Sequence, residues 1–516
     1  MARILNLGYG TGKGHICLHV DRGDEVVGIV PDEERITVAG QLRPMARKAL
    51  LLAASAIILC AFTTAQISSF QHVIFVIQEN RSPDNLFYAL CESLPCSTTP
   101  GPTDYDIQTS NWLDNTQPAG VIQPLTEELA GGYDPGHGYQ SFEAECDLDT
   151  ATNACRMDGA AGTGCGGNCP SQPQFRYVDN SSGTITPYIQ MVQQYGWANY
   201  MFQTNQGPSF PAHQFLFGAT SAPSAADDAA GIFIYSNEDH PDGTTGCTSA
   251  AKSYVVLIQP GTKKTPTIYP CVDHNTLPDV LPSTVTWKYY STTNTDWEAP
   301  TAIQHICQPS EPTGGVCTGQ EWIDNIDLNP KDILTDIGDC KLRNMNWSIP
   351  SGNNSDHNGR SEGGGPSWVA SIVNAIGQST CKNSDGSSYW NSTAILITWD
   401  DWGGWYDHEP PTILAQPEGD YQYGLRVPLI VISAYTRAGY IDNGRHDFGS
   451  MINFAENNFG VATGILGFAD ARADGDDLSG FFDLSTTPRP FVTIPSVLTA
   501  EDFINDPRPP TDPDDY

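Results

Sequence analysis

Five short runs along the chain are apolar almost without interruption: His72 to Ile77, Gly231 to Tyr235, Tyr254 to Ile258, Ala394 to Thr398 and Val427 to Ile432. Runs of this length, rich in Val and Ile, predict strands buried on both faces. Between them the pattern changes to helical spacing in Pro187 to Tyr195, Ser367 to Ile376 and Ser450 to Phe459. Strands alternating with helices predict an α/β fold with a mostly parallel central sheet flanked by helices. The runs at 72–77, 394–398 and 427–432 come from distant parts of the chain, and placing them in one sheet makes residues 66–516 a single domain. The stretches 91–180 and 237–350, rich in Gly, Pro, Asn, Ser and Cys, read as long disulfide-stapled loop insertions over one face. The last residues, DPRPPTDPDDY, predict a loose, solvated tail.

The amino-terminal part has a different pattern. From Met45, a positive segment (Arg47, Lys48) precedes an apolar run from Ala49 to Phe62 and the small residues Thr63-Thr64-Ala65. This is the layout of a secretory signal peptide over 45–65, with 1–44 as an upstream extension outside the mature protein. A membrane anchor in the same place is the competing reading. No later apolar run reaches the ~18 residues a spanning helix needs, so no stable membrane insertion is expected. GYGTGKGH near the start lacks the spacing of a phosphate-binding loop.

Cysteine usage points to the same secreted or periplasmic setting. Setting aside Cys17 and Cys60 from the fourteen leaves sequential couples: Cys91/Cys96, Cys146/Cys155, Cys165/Cys169, Cys247/Cys271, Cys307/Cys317 and Cys340/Cys381. An even set behind an export signal reads as disulfides, and neighbour-to-neighbour pairing is the simplest connectivity. The formal net charge of −35 sets the whole surface against nucleic acid and anionic lipid as bulk partners.

Two predicted strands end in bursts of polar residues: HVIFVI runs into Gln78-Glu79-Asn80-Arg81, and AILIT into Trp399-Asp400-Asp401. Ligands bind beyond the carboxyl ends of strands in open α/β sheets. A Glu-Asn pair and an Asp-Asp pair there offer hard oxygen donors, which suit Mg, Ca or Mn without excluding Zn. Each pair alone also reads as a strand cap. Ser209 stands between Pro208 and Pro211 after the aromatic run Trp197 to Phe202. It reads either as a held nucleophile or as an ordinary turn serine.

VIFVIQENRSPDNLF (73–87) resembles the opening strand and loop of the phosphoesterase family that includes bacterial phospholipases C and acid phosphatases. GPSFPAHQFLFGATS (207–221), AILITWDDWGGWYDHEPP (394–411) and GLRVPLIVISAYTRAGYI (424–441) resemble it too, with weaker echoes in DPGHGY (134–139) and NNSDH (353–357). The similarity runs in order from about residue 70 to about 484.

The resemblance implies an alkaline-phosphatase-like fold and a divalent cation held by Glu79, Asn80, Asp400 and Asp401, with the Ser209 oxygen close by. It makes Ser209 the nucleophile, and His137 and His357 the groups that contact phosphate or assist the leaving group. The implied substrate is a phosphate ester, with a phospholipid head group among the candidates. His213, which follows Pro211 where many phospholipases C carry Asn-Arg, receives no role, and His408 and Glu456 stay undecided between site support and packing. Two other functions stand beside the phosphoesterase. One is sulfate-ester hydrolysis on the same fold, against which the typical sulfatase Cys/Ser-x-Pro-x-Arg pattern is missing. The other is a catalytically silent secreted protein that binds phosphate or carbohydrate.

Overall fold

The computed structural model describes residues 68–239, 244–258, 265–292, 295–412 and 423–511, together with two short strands nearer the amino terminus. The chain divides into two compact units, Met1–Ala65 and Gln66–Tyr516. In the first, Ile16–Leu18 pairs antiparallel with Val27–Ile29. The signal peptide and upstream extension expected there otherwise lie outside the described residues. No helix among the described residues is long and apolar enough to cross a membrane.

The second unit is built on an eight-stranded sheet. In chain order its strands are β1 (His72–Gln78), β2 (Gly196–Phe202), β3 (Trp287–Tyr290), β4 (Ile326–Asp327), β5 (Met345–Ser348), β6 (Thr393–Trp399), β7 (Leu429–Ile432) and β8 (Tyr440–Asp447). They lie side by side in the order β4-β3-β5-β1-β6-β7-β2-β8. Every pairing is parallel except the two made by β7, which runs against both β6 and β2. The mostly parallel expectation therefore holds, with one reversed strand. β1, β6 and β7 are buried at every residue, as a sheet covered on both faces requires. Four helices used below are α1 (Thr186–Gln194), α2 (Ser209–Gly218), α3 (Gly365–Gln378) and α4 (Phe448–Asn458). Three of them match the predicted helical runs; α2 does not.

The register of the central strands sets the site. β1 and β6 pair from Thr393↔His72 to Trp399↔Gln78 and finish level. Glu79-Asn80 and Asp400-Asp401 therefore leave the sheet side by side. β7 enters from that same edge, because Leu429 faces Thr398 at its start, and this brings Arg426 to the site's side of the sheet.

Three expectations are corrected. The runs at 231–235 and 254–258 do form strands, Phe233–Ile234 and Val255–Ile258, but in a separate three-stranded antiparallel sheet with Thr267–Ile268. Alternate residues of Val255–Ile258 are only half-buried, the mark of a surface sheet. The stretch 237–350, read as loops, contributes β3, β4 and β5. Its Asn346 is fully buried and donates to the carbonyls of Val73 and Arg343, so polar residues sit inside the sheet once their hydrogen bonds are met. The tail is docked as far as Thr511: its N–H donates to Ser351 Oγ at 2.8 Å, its carbonyl accepts from Gly352 at 2.9 Å, and Arg508 pairs with Glu362. All six neighbouring cysteine couples are bridged as expected.

A buried ion network braces the segment after β6. Arg426 donates to Asp407, Asp106 and Asp84 at 2.9, 3.1 and 3.4 Å, and His408 sits between Asp84 and Asp106 at 2.8 and 3.0 Å. Against the cost of burial, these two acids lift His408 to about 10, so it is a cation here and belongs to the brace. Replacing Arg426 by Met leaves three carboxylates sharing one imidazolium in a dry interior. The expected loss is about 3–5 kcal/mol of stability, read as a fall in the urea midpoint; an unchanged midpoint would remove the network from the account of stability.

Candidate active site

The polar burst after β1 turns sharply. Asn80 adopts a left-handed backbone with φ 62°, which Asn tolerates better than most residues, and its N–H donates to Asp400 Oδ1 at 3.0 Å. The adjacent turn after β6 needs glycine at Gly403: φ is 66°, and a Cβ there would come 2.2 Å from the Asn80 carbonyl oxygen. Arg81 N donates to the Asp401 carbonyl at 3.0 Å. The Arg81 guanidinium is used entirely inward, donating to Asp356 O, Asn85, Glu127 and Leu129 O. The two turns thus lock each other.

Ser209 is the first residue of α2, with Pro208 as its cap residue and Pro211 still inside the first turn, where a missing N–H costs no helical hydrogen bond. The prolines start a helix here; they do not hold a turn. Ser209 is fully buried, and its Oγ donates to Asp401 Oδ2 at 3.4 Å. The other Asp401 oxygen accepts from Gly403 N at 2.6 Å. An alkoxide at a helix amino terminus meets the positive end of the peptide dipoles.

One turn further along α2, at i+4 from Ser209, stands His213. Its Nε2 lies 3.3 Å from Glu79 Oε1 and 3.7 Å from Asp400 Oδ2, with all three side chains fully buried. Glu79, His213 and Asp400 offer donor atoms within 4.8 Å of one another. Asp400 Oδ2 and Asn80 Oδ1 are buried and accept no hydrogen bond. Acids packed this closely away from water are costly unless a cation balances them. His213 carries no local mark of a role in the sequence. The helix supplies that mark: once Ser209 begins α2, the i,i+4 spacing puts Ser209 and His213 on one face.

His137 and His357 lie on the far side of Asn80. His137 Nε2 is 3.1 Å from Asn80 Nδ2, and its Nδ1 is 2.8 Å from the Pro135 carbonyl. His357 Nδ1 is 2.7 Å from the Asn358 carbonyl, and the two imidazole centroids are 5.9 Å apart. With Asp134 they form a second group of donors within 4.8 Å. Trp297, fully buried, stacks beside His213 at 6.3 Å between centroids and tilts against His357 at 6.1 Å, walling the site on one side. Glu456 lies elsewhere, accepting from Gly464 N at 2.8 Å, which makes it a loop anchor.

Glu298, next to that tryptophan, is a buried acid whose burial lifts it to about 8 from an ordinary 4.5. The folded protein holds this proton more tightly than the unfolded chain does. Its contribution to stability is therefore complete below about pH 4.5 and is lost as pH rises through 8. Glu298→Gln should flatten the fall in stability between about pH 5 and 8, to which Glu298 contributes a slope of up to ~1.4 kcal/mol per pH unit, read from denaturant midpoints across that range. Parallel wild-type and variant profiles would show that Glu298 does not set it.

A model of the phosphoesterase family matches residues 70–462. Phospholipase C B of Mycobacterium tuberculosis H37Rv is 23% identical over 460 residues, covering 82% of this chain and 80% of that protein. The non-hemolytic phospholipase C of Pseudomonas aeruginosa is 24% identical over 206 residues, which span 35% of this chain and 28% of its own length. Among solved structures, a member of the alkaline phosphatase superfamily from Vibrio parahaemolyticus aligns with a TM-score of 0.30 at 12% identity, covering 55% of this chain and 62% of that one.

Proposed function

The chain belongs to the phosphoesterase family, and from that premise we propose that it hydrolyses phosphate esters through a phosphoserine on Ser209, with a divalent cation held by Glu79, His213 and Asp400. The observation that carries this reading is the convergence of three buried donors within 4.8 Å beside a buried serine hydroxyl at a helix amino terminus. When bound, the cation would neutralise phosphoryl oxygens and favour the Ser209 alkoxide.

The chain's own groups account for the remaining chemistry. Asp401 accepts the Ser209 proton in its hydrogen bond and so aims an oxygen lone pair away from itself. Attack forms the Oγ–P bond as the Ser209 proton passes to Asp401, and breaks the bond from phosphorus to the ester oxygen, which leaves as an alcohol after taking a proton from a protonated imidazole on the Asn80 side. Water then attacks phosphorus and gives its proton to that imidazole, and the Oγ–P bond breaks as Oγ regains its proton from Asp401, restoring the serine. Asn80 and Asp401 border the cluster as the residues that fix Asp400 and Ser209. The names of the relatives favour a phosphodiester with a lipid head group as the first substrate class to try. Six disulfides fit a protein exported to an oxidising compartment.

Purified residues 66–516 should turn over p-nitrophenyl phosphorylcholine or p-nitrophenyl phosphate, lose the activity after dialysis against chelator and regain it with added Mn²⁺, Zn²⁺, Ca²⁺ or Mg²⁺. Failure to cleave either ester with every metal supplied would refute the hydrolase reading. Turnover that survives thorough chelation would refute the cation.

A further inference from the structure

Two side-chain amides converge on one carbonyl just ahead of Ser209. Gln203 Nε2 donates to the Gly207 carbonyl at 3.1 Å, and Asn205 Nδ2 donates to the same oxygen at 3.0 Å, reaching Pro208 O at 3.5 Å as well. A carbonyl only accepts, so both amides turn their NH₂ groups toward it. Their own oxygens, Gln203 Oε1 and Asn205 Oδ1, are buried and accept no hydrogen bond from the described residues. A buried amide left half-paired lowers stability, and an apolar side chain of the same shape would avoid that loss. Stability therefore does not account for the pair, and a role in the chemistry does.

Both amides stand on fixed backbone. Gln203 continues β2, with its N–H on the Leu425 carbonyl at 3.1 Å and its own carbonyl accepting from Gly424 N at 2.9 Å. A Cβ at Gly424 would come 1.9 Å from the Asn205 carbonyl oxygen, and one at Gly207 would come 2.4 Å from that of Tyr235. The Gly207–Pro208 peptide is thus gripped from two sides, and it leads directly into Ser209. The Ser209 Oγ meets Asp401 at 3.4 Å, longer than the usual range for a hydroxyl bond. The backbone that carries it therefore shares in setting its direction. The next N–H of the turn, on Phe210, is taken by Asn237 Oδ1 at 3.0 Å.

Resting on the phosphoserine reading above, we infer that Gln203 and Asn205 are positioning residues for the nucleophile. Their amides clamp the Gly207–Pro208 peptide and so fix the angle at which Ser209 Oγ meets phosphorus. Neither amide belongs to the donors assigned to the cation. Such a clamp acts on the attack step, where a nucleophile displaced by ~1 Å costs about 100-fold in rate.

The test uses the full mature chain with Mn²⁺ and two near-isosteric variants, Gln203→Met and Asn205→Leu. Each removes one donor together with its unpaired oxygen and leaves the Gly207 carbonyl the other donor. Acid quench of a single turnover of p-nitrophenyl phosphate gives the rate of phosphoserine formation. Chelator competition gives Mn²⁺ affinity, and the urea midpoint gives stability. Each variant should form phosphoserine about 10–100-fold more slowly, with Mn²⁺ affinity unchanged and a urea midpoint equal to or above that of the wild type. In a Ser209→Ala background the same changes should not slow the residual rate further, because the group they position is gone. The inference is overturned if both variants form phosphoserine at the wild-type rate. It is also overturned if the rate falls only as the urea midpoint falls, or if the loss is as large in the Ser209→Ala background. One variant that fails to fold leaves the other to decide, since each removes a separate donor. Failure of both to fold would make the amides structural and overturn the inference. A wild type that cleaves the ester without forming phosphoserine would overturn the proposed nucleophile, and this inference with it.

Discussion

Ser209→Ala is expected to reduce turnover by about 10⁴-fold or more while leaving the fold and the metal affinity close to wild type. The size follows from the position of the hydroxyl. Ser209 is fully buried at the start of α2, and its Oγ is held 3.4 Å from Asp401 Oδ2, so it is the oxygen both oriented and beside the donor cluster. Thr204, its closest hydroxyl-bearing neighbour in sequence, is engaged by the Phe448 N–H. Removing one oxygen from a first-turn position should cost little stability, since Pro208 and the α2 backbone set the helix start. The diagnostic readout is covalent: acid quench of the wild type during turnover should leave a phosphoryl group on the Ser209 peptide, and Ser209→Ala should show none there or elsewhere. Ser209→Thr should keep part of the rate, because a hydroxyl remains. Near-normal turnover by Ser209→Ala would end the nucleophile assignment, and full turnover without any trapped phosphoryl group would favour direct attack by water.

The two halves of the site differ in how far they could be read from sequence. Glu79-Asn80 and Asp400-Asp401 each follow an uninterrupted apolar strand, and the carboxyl edge of a parallel sheet is a local rule applied to a local pattern. The level register of β1 and β6 then brings the two pairs together. β2 and β5 carry polar members, such as Asn199 and Asn346, that are satisfied by partners far away in sequence, so no local pattern marks them as strands. Asn199, for example, donates to Asn443. The brace of Arg426, Asp84, Asp106, Asp407 and His408 is invisible for the same reason. Its members span more than three hundred residues, and it depends on β7 running backwards, which no short pattern encodes. α2 hides behind two prolines in four residues, a spacing that suggests a turn, although a proline before a helix and another in its first turn are both compatible with helix. With α2 goes His213.

His213→Ala is expected to weaken Mn²⁺ or Zn²⁺ binding by about 100-fold or more and to lower turnover at limiting metal in proportion. The imidazole lies 3.3 Å from Glu79 and 3.7 Å from Asp400, with all three groups closed off from solvent, so deletion leaves two buried carboxylates facing each other. Loss of packing alone predicts something else, because Trp297 also stacks on this ring. A packing defect would lower thermal stability equally with and without metal, whereas loss of a ligand removes the stabilisation that metal adds. The chemistry of the donor supplies a sharper test. An all-oxygen site suits Mg²⁺ and Ca²⁺, while an imidazole shifts preference toward Mn²⁺ and Zn²⁺. His213→Asp should therefore move the order of metal affinities toward Mg²⁺ and Ca²⁺, where His213→Ala only weakens binding. An unchanged order in the Asp variant, together with wild-type affinity in the Ala variant, would show that the cation is held by the strand-end acids without the helix. The expected shift would instead mean that α2 contributes both the nucleophile and a metal ligand from successive turns of one face, so that whatever displaces the helix disables both together.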